Sequence, residues 1–224
     1  MISFHQFIPL LLIGILCNRC TTHYYCTSTE HIQKEYIVIQ QQTDIDSAIY
    51  KTILPYKTKI DEELNTPIAF TSQAIEKNAH CHTLAELVFE SIKYYADSIL
   101  PKNTSYSVLI NNGGLRANIP PGTISKRHIY ELMPFDNKIV ILELTSSQWT
   151  ELLEKSKDHS KLLLKSTGSA APQYLITSDY LYQGGDDCGF LKSAKSLHQK
   201  NPLIRDCIIH YCRIQKQLTI PCFY

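Results

Sequence analysis

The chain has 224 residues, 44% of them hydrophobic and 19% charged, which is enough to bury one good apolar core. Lys and Arg number 22 against 21 Asp and Glu, so no charge excess draws the chain electrostatically to nucleic acid or an anionic membrane. A nucleic-acid partner is not expected.

The N-terminus carries an apolar run from Phe7 to Leu16 that ends at Cys17. Ten apolar-dominated residues cannot cross a bilayer, which needs about 20, but they suit the core of an export signal. Cys17 stands where a bacterial lipoprotein signal is cut and acylated. Residues 1–17 are therefore expected to act as an export signal, with a lipid anchor at Cys17, in a periplasmic or cell-envelope protein. Plain secretion is the second variant, and a buried N-terminal strand or helix is the alternative. A polar tether from Asn18 to about Lys34 follows, and residues 35–224 are expected to fold as one domain.

Asp44 to Leu64 carries apolar residues at 45, 49, 53, 56, 60 and 64, a helical period interrupted by Pro55. Thr83-x-x-Glu86 reads as a capping box opening a second helix, with Leu84, Leu87, Val88, Ser91, Ile92 and Tyr95 on one stripe. A strand is expected over 106–110, and a short helix from the cap Ser125 to just before Pro134. Lys138 to Leu144 reads as a strand, and Thr145-x-x-Gln148 as the cap of a helix bearing Trp149, Leu152 and Leu153. Tyr174 to Thr177 is another strand. Asn201-Pro202, a cap followed by proline at the first position, is expected to start a last helix with Ile204, Cys207, Ile208, Tyr211 and Cys212 inward. Helices and strands mix without strict alternation, which points to an α+β domain with a mixed β-sheet and packed helices.

Eight cysteines, at 17, 20, 26, 81, 188, 207, 212 and 222, are many for a chain without a metal motif. Acylation of Cys17 would leave an odd number, so at least one thiol is expected to be free or paired between chains. Cys207 and Cys212 lie five apart on the last helix and should not face each other; spacing alone assigns no pair. His80-Cys81-His82 could share one face of an extended segment. No third and fourth ligand follow at a recognisable spacing, so the tract reads as a loop leading into a helix and no metal is assigned to this chain. No Gly-x-Ser-x-Gly elbow is present, and no catalytic residue is assigned.

The densest chemistry lies in Asn111-Asn112-Gly113-Gly114-Leu115-Arg116. A glycine pair and an arginine placed just after an apolar strand bring backbone N–H groups and a planar cation up to an anion. Pro121-Gly122-Thr123-Ile124-Ser125 and Pro134-Phe135-Asp136-Asn137 follow, with Gly184-Gly185-Asp186 further on. Taken singly, Arg116 could be a solvated surface residue, Phe135 a core ring and Gly-Gly-Asp a turn.

In order and spacing these pieces resemble the C-terminal, substrate-binding domain of the 5′-nucleotidase family, from about Ile45 to Pro221. The resemblance implies that Arg116 binds substrate phosphate and Asn111 contacts the base, while Gly113 and Gly114 let the backbone approach closely. It also implies that Phe135 and Tyr180 clamp the base between two rings and that Asp186 accepts hydrogen bonds from the ribose. Two departures stand out. The family's second arginine before the helix at Thr83 is absent, leaving Lys77 or His80 to substitute, and Asp187 adds a carboxylate that would repel phosphate.

The other half of such enzymes holds two metal ions with Asp, His and Asn ligands. Its Asp-x-His, Gly-Asn-His-Glu and Gly-His-x-His motifs do not occur in these 224 residues. The expectation is a nucleotide- or nucleoside-binding protein of nucleotide catabolism, inactive alone, whose divalent metals sit on a separate metallophosphatase partner. The second reading is a non-catalytic binding or scaffold protein with a degenerate pocket.

Overall fold

Three strands carry alternating apolar residues toward both faces of one sheet, and the rest of the fold follows from covering those faces. The computed structural model describes residues 46–78, 81–168, 171–197 and 202–222. The expected export signal and tether, His80 and Asn201 lie outside them.

Helix α1 (Ser47–Leu64) is followed by strand β1 (Pro67–Thr71), helix α2 (Thr83–Ile99) and strand β2 (Tyr106–Asn111). Next come β3 (Gly122–Ser125), α3 (Lys126–Leu132), β4 (Ile139–Glu143) and α4 (Ser146–Lys155). The chain continues with β5 (Leu162–Ser166), β6 (Tyr174–Ser178), the single-turn α5 (Asp179–Tyr182) and β7 (Lys195–Ser196). It closes with α6 (Ile204–Gln215) and β8 (Gln217–Leu218).

The central sheet has the order β5-β2-β6-β4-β7, and a smaller one the order β3-β1-β8. β2 runs parallel to β6, whereas β2/β5 and β4/β6 are antiparallel. The fold is thus the expected α+β with a mixed sheet. Successive side chains of a strand point to opposite faces, and they sort that way here. Val108, Ile110, Ile139, Ile141 and Ile176 join the apolar layer under α2 and α6. Leu109, Val140, Leu142 and Leu175 join a second layer with Leu152, Leu181 and Leu191.

The helix stripes behave as their periods dictate. Leu84, Leu87, Val88, Ser91 and Ile92 of α2 are buried, as are Ile204, Cys207, Ile208 and Cys212 of α6. Helix α1 differs: it runs across Pro55 without interruption and buries none of its residues.

Two expected helix starts are corrected. The N-cap of α2 is His82, whose Nδ1 accepts from the Ala85 N–H at 3.1 Å, and Thr83 is the first helical residue. The Thr83 hydroxyl instead accepts from the Glu76 N–H at 2.8 Å, and Glu86, which should have closed the box, is buried against Lys165. Helix α6 starts at Ile204 with Leu203 as its cap. The Pro202 carbonyl accepts from Ile139 N–H at 2.9 Å, which draws residue 202 toward β4 instead of into the helix. The other two caps are as expected: the Thr145 N–H donates to Gln148 Oε1 at 2.9 Å, and the Ser125 N–H to His128 Nδ1 at 3.0 Å.

Cys81, just before α2, is disulfide-bonded to Cys222 after β8, with Cα atoms 4.8 Å apart at a sequence separation of 141. Cys188, Cys207 and Cys212 are free and buried. Burial pushes their thiols up to about 11, 12 and 12, so they are unreactive near neutral pH. A bridge closing so long a loop is expected to matter for stability. Replacing Cys81 and Cys222 together by serine should lower the unfolding free energy by about 2–4 kcal/mol in urea titrations. An unchanged midpoint would show that the bridge constrains nothing.

Candidate functional site

Three chain segments meet at one end of the central sheet: the C-terminus of β2, the C-terminus of β6 and the N-terminus of β4. Parallel pairing of β2 with β6 and antiparallel pairing of β6 with β4 put those ends side by side. Between them lies a cavity of about 280 Å³ lined by Asn111, Gly113, Arg116, Phe135, Asn137, Tyr180 and Asp186. The structure therefore brings together six of the seven residues singled out from sequence. The seventh, Gly114, is buried behind the wall; a Cβ there would come 2.9 Å from Asn111 Oδ1, so the glycine makes room for the Asn111 side chain.

The turn after β2 is fixed by its second asparagine. The Asn112 Nδ2 donates to the carbonyls of His159 and Ser160, and Asn112 Oδ1 pairs with His82 Nε2 at 3.1 Å. Because His82 Nδ1 is already an acceptor, Nε2 carries the proton and donates. Both imidazole nitrogens are thus engaged in structure. Cys81 is engaged too, in its disulfide.

Arg116 is held through its backbone, its N–H donating to the Leu132 carbonyl at 2.8 Å. Its guanidinium lies 5.2 Å from the centroid of the Phe135 ring, a cation–π contact that leaves its N–H edges available. Phe135 is 39% exposed and Tyr180 42%, which removes the reading of Phe135 as a core ring. Tyr180 packs over Gly185, where a Cβ would come within 2.4 Å of the ring, and its hydroxyl is 3.4 Å from Asp186 Oδ1. Asp186 itself adopts a left-handed conformation, φ 47°, ψ 45°, a backbone state seldom kept without a reason.

The two aromatic arms are tied to one another. The Lys138 N–H donates to Asp179 Oδ1 at 2.9 Å, and the Asp179 N–H returns a bond to the Lys138 carbonyl at 2.8 Å. These residues stand close behind Phe135 and just before Tyr180, so neither arm moves far without the other.

Both departures in the sequence find a place. Lys77 donates from Nζ to the Asn112 carbonyl at 2.8 Å, and its ammonium is lowered from the ordinary lysine value by burial and by the nearby Arg116 charge. It therefore lies near the arginine, although it does not line the cavity. Asp187 turns out to solvent and pairs with Lys161 at 3.4 Å, so its charge is partly screened from the cavity. Sequence reasoning missed Asn137 as a lining residue, although it ends the Pro134–Asn137 motif.

A family model described as 5′-nucleotidase, C-terminal domain, matches residues 66–183, more than half of the chain. The chain belongs to this family. Curated relatives include the trifunctional nucleotide phosphoesterase YfkN of Bacillus subtilis, 25% identical over 60% of this chain and 9% of its own length. A 5′-nucleotidase of Vibrio vulnificus is 22% identical over 52% of this chain and 21% of its own length. Among solved structures, a 5′-nucleotidase precursor from Thermus thermophilus superposes with TM-score 0.66 at 17% identity, covering 79% of this chain and 42% of that one. The NAD nucleotidase of Haemophilus influenzae gives 0.54 at 14% identity, covering 78% and 40%. The chain therefore spans less than half the length of these relatives, and the structural likeness concerns the fold.

Among the described residues no group of three or more His, Cys, Asp or Glu side chains could hold a metal ion. The candidate site of this 5′-nucleotidase C-terminal domain is instead a ring-walled cavity with a cationic side and a carboxylate.

The wall depends on one missing Cβ. Gly185→Ala should force the Tyr180 ring from its seat and lower stability by about 1–3 kcal/mol through overpacking. Gly113→Ala, where a Cβ meets nothing within 4 Å, should change stability by less than about 1 kcal/mol. Urea unfolding of both variants checks this, and equal effects would mean that Tyr180 does not rest on Gly185.

Proposed function

We propose that this domain binds a nucleotide or nucleoside, with the base stacked between Phe135 and Tyr180, ribose hydroxyls on Asp186 and phosphate facing Arg116 and Lys77. The observation that carries the reading is the single cavity in which two exposed rings, an arginine and a carboxylate converge. Its volume of about 280 Å³ lies near the small end of ligand sites, which suits a mononucleotide-sized group. Aromatic walls tolerate any base, whereas the planar guanidinium selects an oxyanion. Asn111 and Asn137 offer both donors and acceptors to the polar edge of a base.

In this reading the domain contributes binding and orientation, and phosphoester hydrolysis takes place on a separate metallophosphatase polypeptide that carries the divalent ions. Energy gained at base and ribose holds the phosphoester in place for another surface. The function belongs to nucleotide catabolism, and residues 1–17 would send the chain out of the cytoplasm, anchored by lipid at Cys17. Detergent partitioning of the full chain and of Cys17→Ala tests the anchor. The scaffold reading drew on the Lys77 and Asp187 departures. With Lys77 beside Arg116 and Asp187 paired to Lys161, neither stands against anion binding.

Calorimetric titration with nucleosides and nucleoside monophosphates tests the binding role. Phe135→Ala and Tyr180→Ala should each weaken binding by about 1–3 kcal/mol with the fold intact. With divalent ions added, the chain alone should show no nucleotidase turnover above background. Mixing with its metallophosphatase partner should raise turnover, and Arg116→Ala should remove most of the gain. Robust hydrolysis by the lone chain would sink the division of labour, and a loss of melting temperature with unchanged affinity would return both rings to a structural role.

A further inference from the structure

Arg205, the second residue of α6, is 7% exposed although its neighbours toward the N-terminus of the helix are apolar. Its guanidinium reaches across to the segment joining α3 to β4. Nη1 donates to the carbonyls of Met133 at 3.3 Å and Phe135 at 3.5 Å, and Nη2 to Asp136 Oδ1 at 2.5 Å. The same group lies 4.2 Å from the centroid of the Tyr130 ring, while its buried Nε has no partner among the described residues. Next to it the Ile204 N–H donates to the Asn137 carbonyl at 2.9 Å. Four of the five positions from 133 to 137, all but Pro134, are therefore gripped by the start of one helix.

Stability alone does not call for an arginine at this place. Burying a guanidinium is costly, and an apolar side chain of similar volume is often as good or better in such a position. A planar fork with five donors does something an apolar residue cannot, namely fix several acceptors in one mutual arrangement. The acceptors it fixes flank the ring of Phe135, which itself stays out of both apolar layers. Arg205 does not line the cavity.

We propose that Arg205 is the positioning residue of the base clamp: it presets the backbone of the Phe135 arm so that the ring faces Tyr180 before ligand arrives. The inference rests on the nucleotide-binding reading above and adds a residue outside the cavity that governs affinity through one inside it. Presetting the arm spares the ordering that binding would otherwise require.

A double-mutant cycle on the full chain tests this, with nucleoside affinity read by calorimetry and folding by urea unfolding. Arg205→Met should weaken nucleoside binding about tenfold. In a Phe135→Ala background the same change should have no further effect, because the residue through which Arg205 acts is gone. Should Arg205→Met not fold, Asp136→Ala removes one anchor from an exposed side chain, 77% accessible. It should then show a smaller loss that likewise vanishes beside Phe135→Ala. Losses that multiply in the double variants, or single variants that bind like wild type, would overturn the proposal while leaving nucleotide binding in place. Wild-type chain that binds no nucleoside would overturn both.

Discussion

The site depends on strand register between β4 and β6. Ile139 lies opposite Ser178 in this antiparallel pair, so the residues that enter β4 and those that leave β6 emerge together at one end of the sheet. Just outside the pair, Lys138 and Asp179 exchange two hydrogen bonds of 2.9 and 2.8 Å, a short continuation of the ladder in which a carboxylate replaces one backbone acceptor. This closure brings the two aromatic arms of the cavity together, and the parallel pairing of β2 with β6 adds Asn111 to Arg116. A slip of one residue would turn Ile139 and Ile141 from one apolar layer into the other and would part the two aromatic arms.

The electrostatics are arranged around the same end. Arg116 and Lys77 stand on the β2 side, the first tied by its backbone to the end of α3 and the second by its ammonium to the Asn112 carbonyl, while Asp186 stands on the β6 side beyond Tyr180. Arg116 and Asp186 thus face one cavity from different strands, with Lys77 near the arginine but outside the lining. That separation fits a ligand with an anionic end and a hydroxyl-bearing middle better than it fits a mutual salt bridge. Asp187, the one residue in the turn that would spoil the anionic end, has Lys161 as its own counter-ion.

Much of this was legible in the sequence because the site is built of local motifs. Asn111 to Arg116, Phe135 and Tyr180 to Asp186 are short runs whose glycines and rings carry meaning by themselves, and the caps at Ser125 and Thr145 stand as their spacing implies. The strands that escaped notice, β1, β3, β5, β7 and β8, are two to five residues long and lack a repeated alternation. The cap at His82 was hidden because an imidazole can do what Thr83 was expected to do, while Glu86 pairs with Lys165 of β5 instead. The Cys81–Cys222 pairing and the grip of Arg205 on residues 133–136 depend on contacts between residues far apart in sequence. No local pattern encodes either of them.

A crystal structure of the full chain with a nucleoside monophosphate bound would test the central claim most directly. The expected result is a base between the rings of Phe135 and Tyr180, ribose hydroxyls within hydrogen-bonding distance of Asp186 and phosphate at Arg116. The Lys138 and Asp179 bonds should be unchanged, because the arms are already set. Ligand bound elsewhere, or a cavity reached only after those bonds open and the arms part, would contradict it.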